Sequence, residues 1–119
     1  MAKKLSAMAQ QAMTALDEGQ RKLDRIHGLI EQYASTKQDY FTGMIARASA
    51  DVGRLFMDNK FGVMSDHANQ IGMLAKRGGS AQSKFTALRE TLSSLRREME
   101  RKRRAILHAA RDGPAGQGD

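Results

Sequence analysis

The feature that most constrains this chain is an apolar repeat between Phe85 and Arg111, because it coincides with the densest positive charge in the sequence. The repeat advances in alternating steps of three and four residues, with only the stem of Lys102 filling one position. Such spacing predicts a helix that packs along a narrow face against another helix. Nine basic residues and three glutamates lie between residues 84 and 111, so this helix carries most of the net charge of +7. The repeat consists of Phe85, Leu88, Leu92, Leu95, Met99, Ile106 and Ala109.

A second repeat of the same kind predicts a long N-terminal helix over about residues 3–48. Gly19 and Lys37 are the weakest members of its three- and four-residue pattern. A continuous helix of this length would extend about 68 Å at about 1.5 Å per residue, which is longer than a compact domain of this size is wide. The repeat therefore predicts an elongated molecule.

The middle of the chain predicts a weaker helix over about residues 50–76. Gly53, Gly62 and Gly72 interrupt its apolar pattern, and a glycine inside a helix costs about 1 kcal/mol relative to alanine. We expect either that this segment bends or that its glycines let another helix approach closely.

Two signals mark turns, and a third marks the end of the helical region. Residues 58–62, Asp-Asn-Lys-Phe-Gly, are the best candidate for a turn inside the middle segment. Gly78-Gly79 predicts a firm break, after which Ser80 can cap a helix over residues 81–111. Residues 112–119 contain almost nothing that can be buried, so we expect a disordered tail there.

These elements predict an all-α fold with a single helical domain over residues 1–111. Two arrangements satisfy the repeats: an elongated antiparallel helical hairpin that turns near residues 58–62, or a three-helix bundle with coiled-coil seams. Each long apolar stripe is narrow, so association into a homo-oligomer is a reasonable way to cover what remains exposed.

The residue types needed for catalysis or cofactor binding are poorly represented. No glycine-rich loop fits a phosphate-binding pattern, and the histidines at positions 27, 67 and 108 are widely separated. The absence of cysteine fits a cytoplasmic location. No apolar run approaches the roughly 18 residues of a membrane span, and the N-terminal segment lacks the apolar core of a signal peptide. We therefore expect a non-enzymatic cytoplasmic protein without cofactor or metal.

Seven basic residues in the C-terminal helix are the candidate partner-binding residues. Favourable interaction with the helix dipole contributes about 0.3–1 kcal/mol per charge and only in the last turn, which does not account for so many. Nucleic acid is one candidate partner, because a basic helix can neutralise phosphates. An acidic protein surface is the other, and we favour it because arginine binds carboxylates in a bidentate manner. The seven residues are Arg96, Arg97, Arg101, Lys102, Arg103, Arg104 and Arg111.

Four stretches follow one another in a familiar order along the chain. The N-terminal repeat contains Leu29-Ile30-Glu31-Gln32-Tyr33 and then Gln38-Asp39-Tyr40, the middle contains Phe61, and the C-terminal helix contains the basic run of residues 95–104. This order resembles the small coiled-coil stalk proteins of flagellar and virulence type III export machines over about residues 16–107. The resemblance implies a basic two-helix antiparallel coiled coil that inserts into the ring of the export ATPase, touches the export gate and escorts chaperones. It thus implies an export ATPase or a chaperone as the partner.

Overall fold

The computed structural model describes the backbone of residues 6–112 and the side chains of residues 6–109. Within that part the chain forms four helices and no strands, which confirms the all-α prediction. The molecule is elongated, with principal extents of 56 × 20 × 19 Å. The helices are α1 (Ala7–Thr36), α2 (Asp39–Asp58), α3 (Gly62–Lys76) and α4 (Ala81–Asp112).

The four helices form an up-down-up-down bundle in which each helix packs against two others. Helix α1 contacts α2 and α4, and α3 also contacts α2 and α4. Lys22 on α1 donates to the carboxylate of Asp51 on α2 at 2.7 Å, which places the middle of α1 beside the second half of α2. Antiparallel neighbours joined by short loops are the usual topology of such bundles. The predicted hairpin or three-helix arrangement is therefore corrected to four helices.

The first additional break lies at residues 37–38, inside the helix predicted over residues 3–48. Lys37 adopts the left-handed backbone conformation, with φ of 55°, and its N–H donates to the carbonyl of Tyr33 at 2.7 Å. This conformation ends α1, and α2 begins at Asp39 after a single extended residue. The break lets α2 fold back on α1, so the apolar faces of the two helices cover each other within the molecule.

The second additional break separates α2 from α3 inside the segment predicted over residues 50–76, at the turn that the sequence indicated. Lys60 is left-handed, with φ of 63°, and its N–H donates to Met57 while that of Phe61 donates to Phe56 at 2.8 Å. These two bonds, together with the 6.2 Å separation of the Phe56 and Phe61 rings, form a Schellman motif. The apolar contact thus stabilises the turn, although a lysine occupies the left-handed position where glycine is more common.

The predicted helix over residues 81–111 agrees closely with α4. Ser80 caps its first turn, because its hydroxyl accepts a hydrogen bond from the N–H of Ser83 at 3.1 Å. Helix α4 continues to Asp112, which the sequence assigned to the tail. The rest of the predicted tail, residues 113–119, lies outside the described residues, as do residues 3–5 of the predicted N-terminal helix.

Small residues let α2 and α3 approach closely. This is the second of the two alternatives that the glycines of the middle segment predicted. A Cβ atom added to Gly72 would lie 3.7 Å from the carbonyl oxygen of Ala46 and from the Cβ of Ser49. The Ser65 hydroxyl donates to the carbonyl of Gly53 at 3.0 Å across the same contact. Fully buried apolar side chains come from all four helices: Leu16, Leu23, Ile26, Ile30, Ile45, Val52, Phe56, Ile71, Leu88 and Leu95.

The helices differ in length, and this difference leaves one end of the bundle open. Helices α1 and α4 contain 30 and 32 residues, whereas α2 and α3 contain 20 and 15. Phe61, just before α3, lies beside Lys102 of α4, and Phe56 near the end of α2 lies beside Gly19 of α1. The start of α1 and the end of α4 therefore extend beyond the turn between α2 and α3. None of the helices described is long and apolar enough to cross a membrane.

Candidate functional site

Three arginines on one side of α4 pair with three carboxylates on α1. Both sets are spaced by seven residues, which is nearly two helical turns, so successive pairs have the same orientation along the two antiparallel helices. We call these pairs the ion-pair ladder. Its hydrogen bonds join Arg89 Nε to Glu31 Oε2 at 2.8 Å, Arg96 Nη2 to Asp24 Oδ1 at 3.0 Å, and Arg103 Nη1 to Asp17 Oδ1 at 3.0 Å.

The ladder accounts for two of the seven predicted partner-binding residues. The side chains of Arg96 and Arg103 are 30% and 25% exposed, and each is committed to a carboxylate of α1. These two arginines therefore contribute to the contact between α1 and α4. They are less available to a partner than the sequence suggested.

The ladder also predicts a pH dependence of stability. The hydrogen bond from Arg89 lowers the pKa of the Glu31 carboxyl below its ordinary value of 4.5, and partial burial opposes this only in part. A carboxyl whose pKa is lower in the folded state contributes stability above its unfolded-state pKa and loses it as the pH falls through the folded-state pKa.

We expect Glu31→Gln to lower the free energy of unfolding by about 0.2–1 kcal/mol at pH 7, the range for exposed ion pairs. The difference from wild type should disappear well below pH 4.5, and about 1 M salt should reduce it at pH 7. Urea unfolding at several pH values measures this difference. A difference that is constant from pH 7 to about pH 2 would contradict the assignment of Glu31 to the ladder.

Three more of the predicted partner-binding residues, Arg97, Arg101 and Arg104, are exposed on the outer side of α4, toward the open end of the bundle. Arg97 donates to the Ser94 hydroxyl at 3.0 Å, and Arg101 lies 3.4 Å from Glu98, so both contacts are local to α4. Arg104 makes no hydrogen bond or ion pair with any of the residues described. Arg111 belongs to the backbone of α4, but its side chain lies outside the described residues.

The turn between α2 and α3 adds a further cation to this region. The left-handed conformation of Lys60 places the start of α3 beside α4, where the Lys102 ammonium lies 5.5 Å from the centre of the Phe61 ring. A cation at this distance from an aromatic face is attracted by it. We call the set Lys60, Arg97, Arg101, Lys102 and Arg104 the open basic surface.

An open cleft of about 300 Å³ lies within the open basic surface, between the start of α3 and α4. Phe61 and Met64 are buried at its base, whereas Val63 is 59% exposed beside it. Lys60 and Arg101 lie at its edges, with Glu98 as the carboxylate among them. The cleft thus offers an apolar contact surrounded by an excess of positive charge.

Lys60 is the member of the open basic surface that sequence analysis missed. It lies 37 residues before Arg97 in the chain and has no basic neighbour in sequence. One local signal was present: Phe56 and Phe61 are five residues apart, which is the spacing of the apolar contact in a Schellman motif. That spacing would have placed Lys60 at the left-handed position of the turn.

The residues described contain no group of three or more His, Asp or Glu side chains placed to hold a metal ion. Comparison with known proteins adds no assignment. No protein-family model, no curated protein and no solved structure matches this chain.

Proposed function

We propose that this protein is a non-enzymatic helical adaptor that binds an acidic segment of a protein partner through the open basic surface. The observation that carries the proposal is the apolar cleft between α3 and α4 with Lys60, Arg101 and Lys102 beside it. Apolar contacts at the centre of an interface contribute most of the binding energy, whereas surrounding charges guide the encounter and exclude wrong partners. An acidic segment with one apolar side chain complements both parts.

A nucleic-acid backbone complements the same surface less well. The apolar side chains of Val63 and Ala105 offer nothing to phosphate, and the carboxylates of Glu98 and Glu100 would repel it. In addition, the ladder arginines already have carboxylate partners, so the basic strip available to a polyanion is shorter than the sequence suggested. A protein partner can place neutral or basic residues opposite the two glutamates.

The resemblance to export stalk proteins extends the proposal to a type III export apparatus in the cytoplasm. In that case the acidic segment would belong to the export ATPase or to one of its chaperones. The four-helix bundle differs from the two-helix coiled coil that the resemblance implies. This extension is therefore tested separately, by binding of the purified ATPase and chaperones to the wild-type protein in isolation.

The proposal predicts that reversing the open basic surface abolishes binding of an acidic peptide. A fluorescein-labelled helical peptide with several glutamates and one leucine serves as the probe, and the same peptide with glutamine in place of glutamate measures the contribution of charge. We expect the triple variant R97E/R101E/R104E to bind the acidic peptide at least about ten-fold more weakly than wild type, because three attractive contacts become repulsive. Fluorescence anisotropy at about 50 mM salt, where screening is modest, gives the affinities.

A matched control reverses the charge of three arginines on the opposite side of the bundle. Arg25, Arg47 and Arg54 are exposed on α1 and α2. We expect R25E/R47E/R54E to lose less affinity for the acidic peptide than R97E/R101E/R104E loses. Circular dichroism establishes that both variants are folded. Equal losses in the two variants would mean that net charge alone attracts the peptide. Binding of a generic duplex or single strand at low salt, with none to the acidic peptide, would replace the proposal by nucleic-acid binding.

A further inference from the structure

We propose that the open basic surface recognises a partner helix whose carboxylates are seven residues apart, through Arg97 and Arg104. The inference rests on the proposed function and goes further, because it specifies the secondary structure and the spacing of the acidic partner. It follows from a comparison of two rows of arginines on α4. The arginines of the ion-pair ladder already bind α1, whereas Arg97 and Arg104 form a second row on the outer side.

The ion-pair ladder shows how α4 binds an acidic helix. Its arginines occur every seventh residue from Arg89 to Arg103, and the carboxylates of α1 occur every seventh residue from Asp17 to Glu31. Seven residues advance a helix by about 10.5 Å and return the side chain to within about 20° of its starting direction. Equal spacing on two adjacent helices therefore lets every pair form without bending either helix.

The outer side of α4 repeats this spacing without a partner helix. Arg97 and Arg104 are seven residues apart, and Arg101 lies between them, four residues after the first and three before the second. Among the side chains that the structure describes, Arg97 and Arg101 form hydrogen bonds or ion pairs only with Ser94 and Glu98 of the same helix. A helix laid along this row would reach Arg97 and Arg104 with carboxylates seven residues apart, and its apolar side chain would reach the cleft beside Ala105.

A second pair of exposed arginines has the same spacing but does not form a row with excess positive charge. Arg47 and Arg54 on α2 are also seven residues apart, but Asp51 and Asp58 alternate with them at the same spacing. Asp51 already contacts Arg54 at 3.7 Å. That row is close to electrically neutral along its length and would repel an acidic helix as much as attract it, so it provides a matched control.

The test compares two peptides of identical composition that differ only in the spacing of their glutamates. Both are alanine-rich helices with three glutamates and one leucine; the glutamates are seven residues apart in one and five apart in the other. A step of five residues turns the side chain by about 140°, so the glutamates of the second peptide cannot face one row. We expect the first peptide to bind wild type about ten-fold more tightly at about 50 mM salt.

The variants assign that preference to the outer row. R97Q/R104Q should remove the preference for seven-residue spacing, whereas R47Q/R54Q, with the same loss of charge at the same spacing, should retain it. Circular dichroism of the peptides ensures that equal helicity is compared. Equal affinity of the two peptides would overturn this inference while leaving acidic-segment binding intact. Absence of binding by both peptides would instead overturn the proposed function.

Discussion

Replacement of Phe56 by alanine is expected to lower the free energy of unfolding by about 3–5 kcal/mol, the usual cost of truncating a buried phenylalanine. The Phe56 side chain is fully buried. Its ring lies against the backbone of Gly19 on α1 and is 6.2 Å from the ring of Phe61, centre to centre. Truncation would leave a cavity that Gly19 has no side chain to fill, and it would remove the apolar contact that holds the turn between α2 and α3.

Denaturant unfolding followed by far-ultraviolet circular dichroism measures this loss. Met57 is the matched control, because it is the next residue of the same helix and is 55% exposed. Met57→Ala should change the free energy of unfolding by no more than about 0.5 kcal/mol. Similar losses in the two variants would contradict the position of Phe56 at the centre of the core.

Gly19→Ala is expected to destabilise the protein by about 1–3 kcal/mol, although alanine is the better helix former by about 1 kcal/mol. A Cβ atom at position 19 would lie 2.6 Å from a ring carbon of Phe56 and 3.5 Å from the Met99 methyl group. The first distance is well inside van der Waals contact. Because the Phe56 ring is enclosed on all sides, it can move only by displacing other core residues.

Gly28 on the same helix supplies the control for this prediction. Apart from its chain neighbours and the backbone of its own helix, a Cβ atom there would have nothing within 4 Å, so Gly28→Ala should stabilise the protein by about 1 kcal/mol. The smaller side chain of Phe56→Leu should also make room at position 19, so that Gly19→Ala costs less in that background than in wild type. A stabilising Gly19→Ala, or equal costs in the two backgrounds, would show that α1 and α2 do not meet as described.

Seven of the nine basic residues of α4 belong either to the ion-pair ladder or to the open basic surface. Arg89, Arg96 and Arg103 contact carboxylates of α1, so their charge is largely balanced within the bundle. Arg97, Arg101 and Arg104 occupy the outer side, and together with Lys60 and Lys102 they form the open basic surface. The basic C-terminal helix is thus both a structural member of the bundle and the proposed binding surface.

The start of α4 and its buried face were predictable because their signals are local. The Gly78-Gly79-Ser80 sequence ends one helix and caps the next, and Leu88, Leu92, Leu95 and Met99 of its repeat are all buried. The turn at residues 58–62 was also predicted from its local sequence, and the Phe56–Phe61 contact stabilises it. The break at Lys37 was not predicted, because Lys37 adopts a left-handed conformation that is more common for glycine.

The sequence by itself determined that this chain is helical and elongated, with its positive charge concentrated in the last helix, because periodicity and charge are properties of neighbouring residues. Only the tertiary structure decided which of those charges face solvent. Arg103 and Arg104 are adjacent in the chain, yet successive residues point about 100° apart around a helix. The first therefore reaches Asp17 on α1, and the second lies on the outer side of α4.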